Sequence, residues 1–159
     1  MVERVIAGGQ AGADQAGLAV AKRLGVPTGG CMPKGWLTED GPRPDLAATY
    51  GLEEAETAAY SERTARNVLA SDGTVVFGDG RSRGSMLTSR LCQRHGKPCC
   101  MVPLDGDGDA AAAALRSWLA EHRIRTLNVA GNRASQAPGV AAFVTAVLEQ
   151  VLGDYRGRQ

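Results

Sequence analysis

The chain is predicted to be one α/β domain, with a mainly parallel sheet between two layers of helices, and three observations predict it. Short apolar runs alternate with helical patterns along the whole length. Three of those runs empty into glycine-rich polar loops, at residues 8–12, 78–84 and 131–139. The 159 residues, 43% of them hydrophobic, suffice for one core and fall short of two ordinary domains.

The first run, Val5-Ile6-Ala7, passes through Gly8-Gly9-Gln10-Ala11-Gly12 into a helical pattern opening at Ala13-Asp14. A strand, a glycine turn and a helix N-terminus make an anion site, because the first helical N–H groups lack partners and the macrodipole favours negative charge there. Phosphate contacts are therefore expected from Gly8, Gly9, Gln10, Gly12 and Ala13. A dinucleotide fingerprint would place glycine at three positions held here by Ala7, Gly9 and Gly12, and no ribose-binding acid stands in Thr28-Gly29-Gly30-Cys31. A Walker loop needs Gly-Lys-Ser/Thr, whereas Gly12 is followed by Ala13-Asp14, so ATP hydrolysis is not expected. The local residues leave Asp14 three roles: helix N-cap, contact to a ligand hydroxyl, or contact to a metal.

Ala13, Ala16, Gly17, Val20, Ala21 and Leu24 recur at helical spacing, a small-residue face suited to close packing on a sheet, and Gly25 stops the helix. Residues 27–31 read as a short second strand. Met32-Pro33-Lys34-Gly35-Trp36 and Glu39-Asp40-Gly41-Pro42 then predict one long loop, and loops of that length are commonly functional, which brings Lys34 and Gly35 into the candidate site. Residues 60–70 read as a helix with Arg63 and Asn67 on one face.

Thr74-Val75-Val76-Phe77 predicts a buried parallel strand, followed by Gly78-Asp79-Gly80-Arg81-Ser82-Arg83-Gly84-Ser85. Ser85 is expected to cap the next helix, which Met86, Leu87 and Leu91 pack, so Gly84, Ser85 and Thr88 belong to a second anion loop. Residues 99–104 form another apolar strand. Asp105-Gly106-Asp107-Gly108-Asp109 has Ala110 and Arg116 where a calcium loop needs glycine and glutamate, and reads as an acidic turn capping a helix over residues 110–122. The last strand, residues 126–130, runs into Gly131-Asn132-Arg133-Ala134-Ser135, and Val140, Phe143, Val144, Val147, Leu148 and Val151 form the closing helix's buried stripe. The domain is expected over residues 1–153, with a flexible tail over 154–159.

Lys and Arg number 18 against 17 Asp and Glu, a net charge of +1, so no global field points to nucleic acid or an anionic membrane. Any anion site is local. No basic leader with an apolar core and no run of about 18 apolar residues occurs, so a cytoplasmic protein is expected. Cys31, Cys92, Cys99 and Cys100 read as reduced packing residues, and neither they nor His95 and His122 have metal-ligand spacing. No protein-ligated metal is expected. Together the elements describe a Rossmann-like domain, in which ligands bind beyond the carboxyl ends of the strands, where all three glycine loops lie.

The motifs Gly8-Gly9-Gln10-Ala11-Gly12-Ala13-Asp14, Pro33-Lys34-Gly35, Glu39-Asp40-Gly41, Glu62-Arg63-Thr64 with Asn67, Ser71-Asp72-Gly73-Thr74 and Leu127-Asn128-Val129-Ala130-Gly131-Asn132-Arg133 with Ala137-Pro138-Gly139 span nearly the whole chain. Taken jointly, they make the chain resemble the molybdenum carrier family, relatives of the molybdenum cofactor carrier proteins and of the wider LOG-like, or lysine-decarboxylase-like, Rossmann group. The resemblance implies a nucleotide-like ligand or molybdenum cofactor, and a homo-oligomer. Molybdopterin brings its own dithiolene, so the site has to supply anion and ring contacts. The LOG-like phosphoribohydrolases carry Pro-Gly-Gly-x-Gly-Thr and then a glutamate; here Arg81-Ser82-Arg83-Gly84-Ser85-Met86 is followed by Leu87-Thr88-Ser89-Arg90, without that glutamate. Arg83 stands where glycine is expected in close relatives, altering the loop's backbone or adding a phosphate contact.

The expected function is binding of a phosphate-bearing small molecule. Backbone groups of Gly9, Gln10, Gly12, Ala13 and Gly131 would line the site, Lys34, Arg63 and Arg133 would neutralise the ligand, and Ser85 and Thr88 would serve a second anionic group. Asn67 or Asp14 would meet a ribose or pterin edge. Two alternatives stand beside it: a nucleotide N-glycosidic hydrolase with Asp14 or Glu39 as acid or base, and a nucleotide sensor working through protein partners, for which the Arg-rich stretch Tyr155-Arg156-Gly157-Arg158 is the hint.

Overall fold

Short apolar strands alternate with helices along the chain. The computed structural model describes residues 1–158. Strand β1 (Arg4–Ala7) turns through the first glycine loop into α1 (Ala13–Arg23), and β2 (Thr28–Gly29) returns parallel to β1. The expected long loop holds more order than its Pro and Gly content suggests. It contains β3 (Cys31–Met32), a hairpin of β4 (Leu37–Thr38) and β5 (Gly41–Pro42), and then α2 (Pro44–Tyr50) and β6 (Glu53–Glu54), which pairs with β3. Pro44 opens α2 at its first turn and Gly51 closes it in the left-handed region, the usual arrangement of those two residues at helix ends.

The second half follows the predicted alternation: α3 (Tyr60–Ala70), β7 (Gly73–Phe77), α4 (Arg83–Arg94), β8 (Cys99–Val102), α5 (Gly108–Glu121), β9 (Thr126–Gly131) and α6 (Val140–Leu152). Asp107 caps α5 by accepting from the Ala110 N–H at 3.2 Å, so the acidic turn is indeed a helix cap. The chain then winds into a 3-10 helix over Gly153–Arg158, with Tyr155 packed on the core, where a tail was expected; Gln159 of that tail lies outside the described residues.

The five-stranded sheet is parallel throughout, in the order β2-β1-β9-β7-β8. The last strand is therefore central. It pairs with β1 on one side, Ala7 opposite Val129, and with β7 on the other, Phe77 opposite Gly131. Helices α1, α5 and α6 pack on one another over one face, and α3 and α4 on the other. The main core lies under the first group, where Val5, Val75, Leu127 and Val129 of the sheet meet Val20, Leu115, Val144 and Leu148 of the helices, all essentially inaccessible to solvent. Among the described residues no helix is long and apolar enough to cross a membrane.

The topology decides where a site can form. Strands β1, β9 and β7 are neighbours, so the glycine loops that leave their carboxyl ends lie side by side.

Candidate functional site

The loop after β9 packs against the α1 N-terminus, the expected phosphate cradle. Gly12 forms an isolated antiparallel bridge with Arg133, the Ala13 N–H donates to the Asn132 carbonyl at 3.2 Å, and the Ala134 N–H donates to the Ala11 carbonyl at 3.1 Å. Gly12 has φ of +114°, and a Cβ there would lie 2.5 Å from the Asn132 carbonyl oxygen, so its glycine serves the approach of the loop after β9. Gly8 is bare because the Arg63 guanidinium lies against it, 2.1 Å from where a Cβ would be, and Gly9 because Met32 does. These glycines admit protein.

Asp14 takes none of the cap positions, since Gly12 is the N-cap of α1. Its carboxylate accepts from the Gln10 N–H at 3.2 Å, closing the turn, and lies 3.7 Å from Arg63 Nη1. Asp14 is buried, its side chain 7% exposed, and Arg63 is largely covered at 13%. Burial raises the Asp14 pKa, opposed by the Arg63 charge and the Gln10 N–H; burial likewise lowers that of Arg63, opposed by Asp14. A guanidinium keeps its proton in any case, so burial acts by easing proton uptake at Asp14.

Around this pair lies a cleft of about 520 Å³. Gln10 and Asp14 line it from the first glycine loop, Tyr60, Arg63 and Thr64 from α3, and Ala130, Gly131, Arg133 and Gln136 from β9 and its loop. Ser82, Arg83, Gly84, Leu87 and Thr88 line it from the start of α4. Arg133 and Arg63 both sit over the Tyr60 ring, their Cζ atoms 4.8 and 5.4 Å from its centroid. Beneath, Asp14, Arg63, Thr64, Asn67, Thr88 and Asn128 enclose a polar cavity of about 10 Å³, room for a single water. Arg63 Nε has no hydrogen-bond partner among the described residues.

Ser85 does not cap α4; Ser82 does, accepting from the Ser85 N–H at 3.1 Å while the two hydroxyls bond at 2.9 Å. The helix begins earlier than expected because Ser82 is the residue with extended backbone geometry immediately before it. Thr88 lines the cleft with its hydroxyl donating to the Gly84 carbonyl. Asn67 is engaged by backbone: its Oδ1 accepts from the Cys31 N–H at 2.9 Å and its Nδ2 donates to the Cys31 carbonyl at 3.0 Å. It positions β3 against α3.

Lys34 and Gly35 lie outside the cleft lining, Lys34 exposed and the Gly35 N–H bonded to Glu54. Glu39 also lies outside it. Its carboxylate accepts from the Ser135 N–H at 3.1 Å and hydroxyl at 2.5 Å, fastening the β4–β5 hairpin to the loop after β9. Of the expected residues, then, Gln10, Asp14, Arg63, Gly84, Thr88, Gly131 and Arg133 share one cleft. Tyr60 was not foreseen there, although its position three residues before Arg63 on a helix is the signal of an aromatic–cation pair. Gln136 carries no such signal. Among the described residues no three His, Cys, Asp or Glu side chains gather as a metal site.

Residues 5–152 match the circularly permutated YpsA SLOG family. The chain belongs to this family. No curated protein matches it. Among solved structures, this SLOG-family chain is similar to the crystal structure of a protein called Putative molybdenum carrier protein from Syntrophus aciditrophicus SB, at 40% identity and a TM-score of 0.89 over 95% of both chains. The resemblance drawn from the glycine loops and the Arg63 helix thus holds at the level of the whole fold.

Proposed function

We propose that this SLOG-family protein binds a phosphate-bearing small molecule, molybdenum cofactor or a nucleotide, in the cleft between α3, α4 and the loop after β9, and acts as a carrier of it. The observation that carries the reading is the charge of the lining. Arg63, Arg83 and Arg133 face the cleft with Asp14 the sole carboxylate among the lining residues. That carboxylate is paired with Arg63 and shifted by burial toward its neutral form. An anion is what such a lining lacks.

Tyr60 and Leu87 add apolar surface for a ring, and Gln10 borders it. The donor set therefore suits the phosphate and pterin of molybdenum cofactor: Arg63 and Arg133 would hold the phosphate, and Gln10 and Tyr60 would orient the ring. Bound there, that cofactor would supply its own sulfur ligands to the metal.

Native and then denaturing mass spectrometry of freshly purified protein, with metal analysis of the same sample, tests the reading. A retained phosphate-bearing mass is expected on the natural protein and not on Arg63→Ala. A pterin mass with stoichiometric molybdenum selects the cofactor, and a nucleotide mass without metal selects the nucleotide. A natural protein that retains no such mass and takes up neither ligand when offered it contradicts the proposal.

A further inference from the structure

The four cysteines are free thiols, and the sheet register brings two of them to one place. Asn128 of β9, Thr74 of β7 and Cys99 of β8 are partners across three adjacent strands, so their side chains point to the same face of the sheet. That face is the one α3 and α4 cover. Asn128 borders the small cavity with Arg63, Asn67 and Thr88, and its Nδ2 donates to Thr74 Oγ1 at 3.1 Å. Cys100, one residue on, points the other way and packs on the main core.

Cys92 meets this row from the helix layer. It lies one turn after Thr88 on α4 and is 1% exposed. Its thiol hydrogen-bonds with that of Cys99 and with the Thr74 hydroxyl. The connection between the two cysteines is short and fixed: the Lys97 N–H donates to the Cys92 carbonyl at 2.9 Å, and the Thr74 N–H to the Pro98 carbonyl at 3.0 Å.

The contact sets the two thiols apart. The bond from Cys99 lowers the Cys92 pKa to about 7, with burial opposing and Thr74 assisting, while the bond to Cys92 raises that of Cys99. At neutral pH Cys92 is therefore partly thiolate, the form that oxidants attack. Cys99 is half-buried on β8, an edge strand, so the pair lies next to solvent at the sheet edge.

We infer that Cys92 and Cys99 form a reversible disulfide that locks α4, one wall of the cleft, onto the edge of the sheet. The oxidant is hydrogen peroxide. The S–S bond forms as two S–H bonds and the O–O bond break; the sulfurs lose two electrons, and the peroxide takes these with both protons and leaves as two waters. Thiol exchange restores the pair. A disulfide is about 2.05 Å long, shorter than a hydrogen bond between sulfurs, so closing it draws α4 and β8 together. Gly84, Leu87 and Thr88, which line the cleft, lie on that helix. None of this depends on what the cleft binds.

Treatment of the reduced natural protein with hydrogen peroxide, followed by alkylation, intact mass and peptide mapping, tests the pairing. The expected result is loss of two hydrogens, two thiols closed to alkylation, and peptides joined through Cys92 and Cys99 that dithiothreitol separates. Cys100→Ser is expected to keep the bridge and Cys99→Ser to lose it. Hydrogen exchange of the α4 amides is expected to slow at least about threefold on oxidation and to recover on reduction. A bridge between Cys99 and Cys100 or between two chains, a sulfinic acid in place of a bridge, or four thiols that stay free overturns the inference. So does a Cys92–Cys99 bridge that leaves α4 exchange unchanged. The natural protein alone decides the pairing, so a variant that fails to fold leaves the test intact.

Discussion

Asp14 and Arg63 set the chemistry of the cleft as a pair. Burial raises the Asp14 pKa, with Arg63 opposing, so the folded protein holds the Asp14 proton more tightly than the unfolded chain. This favours the fold at pH below the ordinary carboxylate value of 3.8, and the contribution is lost as pH rises through the raised folded value. The same proton uptake removes the negative charge beside Arg63. Affinity for sulfate, whose own charge is constant over the range, is therefore expected to rise as pH falls from neutrality toward Asp14's raised value. In Asp14→Asn it is expected to stay nearly level across that range. Sulfate titrations at several pH values check both statements, and an equal pH dependence in the two proteins would contradict the role given to Asp14. Much of this pair was legible in the sequence, because Asp14 follows the glycine turn and Arg63 lies on a helix face. That they meet was not, since the contact spans 49 positions and depends on Gly8 leaving room for the guanidinium.

At the level of elements, a few side chains fix segments that the sequence left as loop. Asn67 holds both backbone groups of Cys31, ties β3 to α3, and is 3% exposed. Asn67→Ala removes two bonds and strands a buried N–H and C=O, at about 1–3 kcal/mol each, so a loss of roughly 2–6 kcal/mol is expected in denaturant unfolding. A loss below about 0.5 kcal/mol would show that the clamp does not hold. The helices α1, α3 and α6 were legible from apolar spacing. The β4–β5 hairpin was not, because its strands are two residues each and Gln10 and Ser135 hold it from outside, through the Leu37 carbonyl and the Glu39 carboxylate. Short pairings fixed by distant side chains leave no periodicity to read. The start of α4 was misplaced for a related reason, since Ser82 and Ser85 are both good caps and only the backbone geometry distinguishes them.

The whole molecule turns on β9, the last strand to be made, lying between β1 and β7. Alternation along the chain predicts a parallel sheet but is silent on strand order, so phosphate contacts were expected at the first glycine loop and a second anionic group at the loop before α4. With β9 central, its following loop reaches the α1 N-terminus, where the Asn132 carbonyl accepts from the Ala13 N–H, and the cleft lies on the α3 and α4 side. We therefore propose the cleft of the three arginines, and not the first helix, as the anion site. The most direct test is a crystal structure of the protein grown with pyrophosphate, with the phosphorus positions located. The phosphorus atoms are predicted to lie in the cleft, within reach of Arg63 and Arg133. Density on the Gly9–Ala13 amides instead, with the Asn132 carbonyl displaced, would contradict the account.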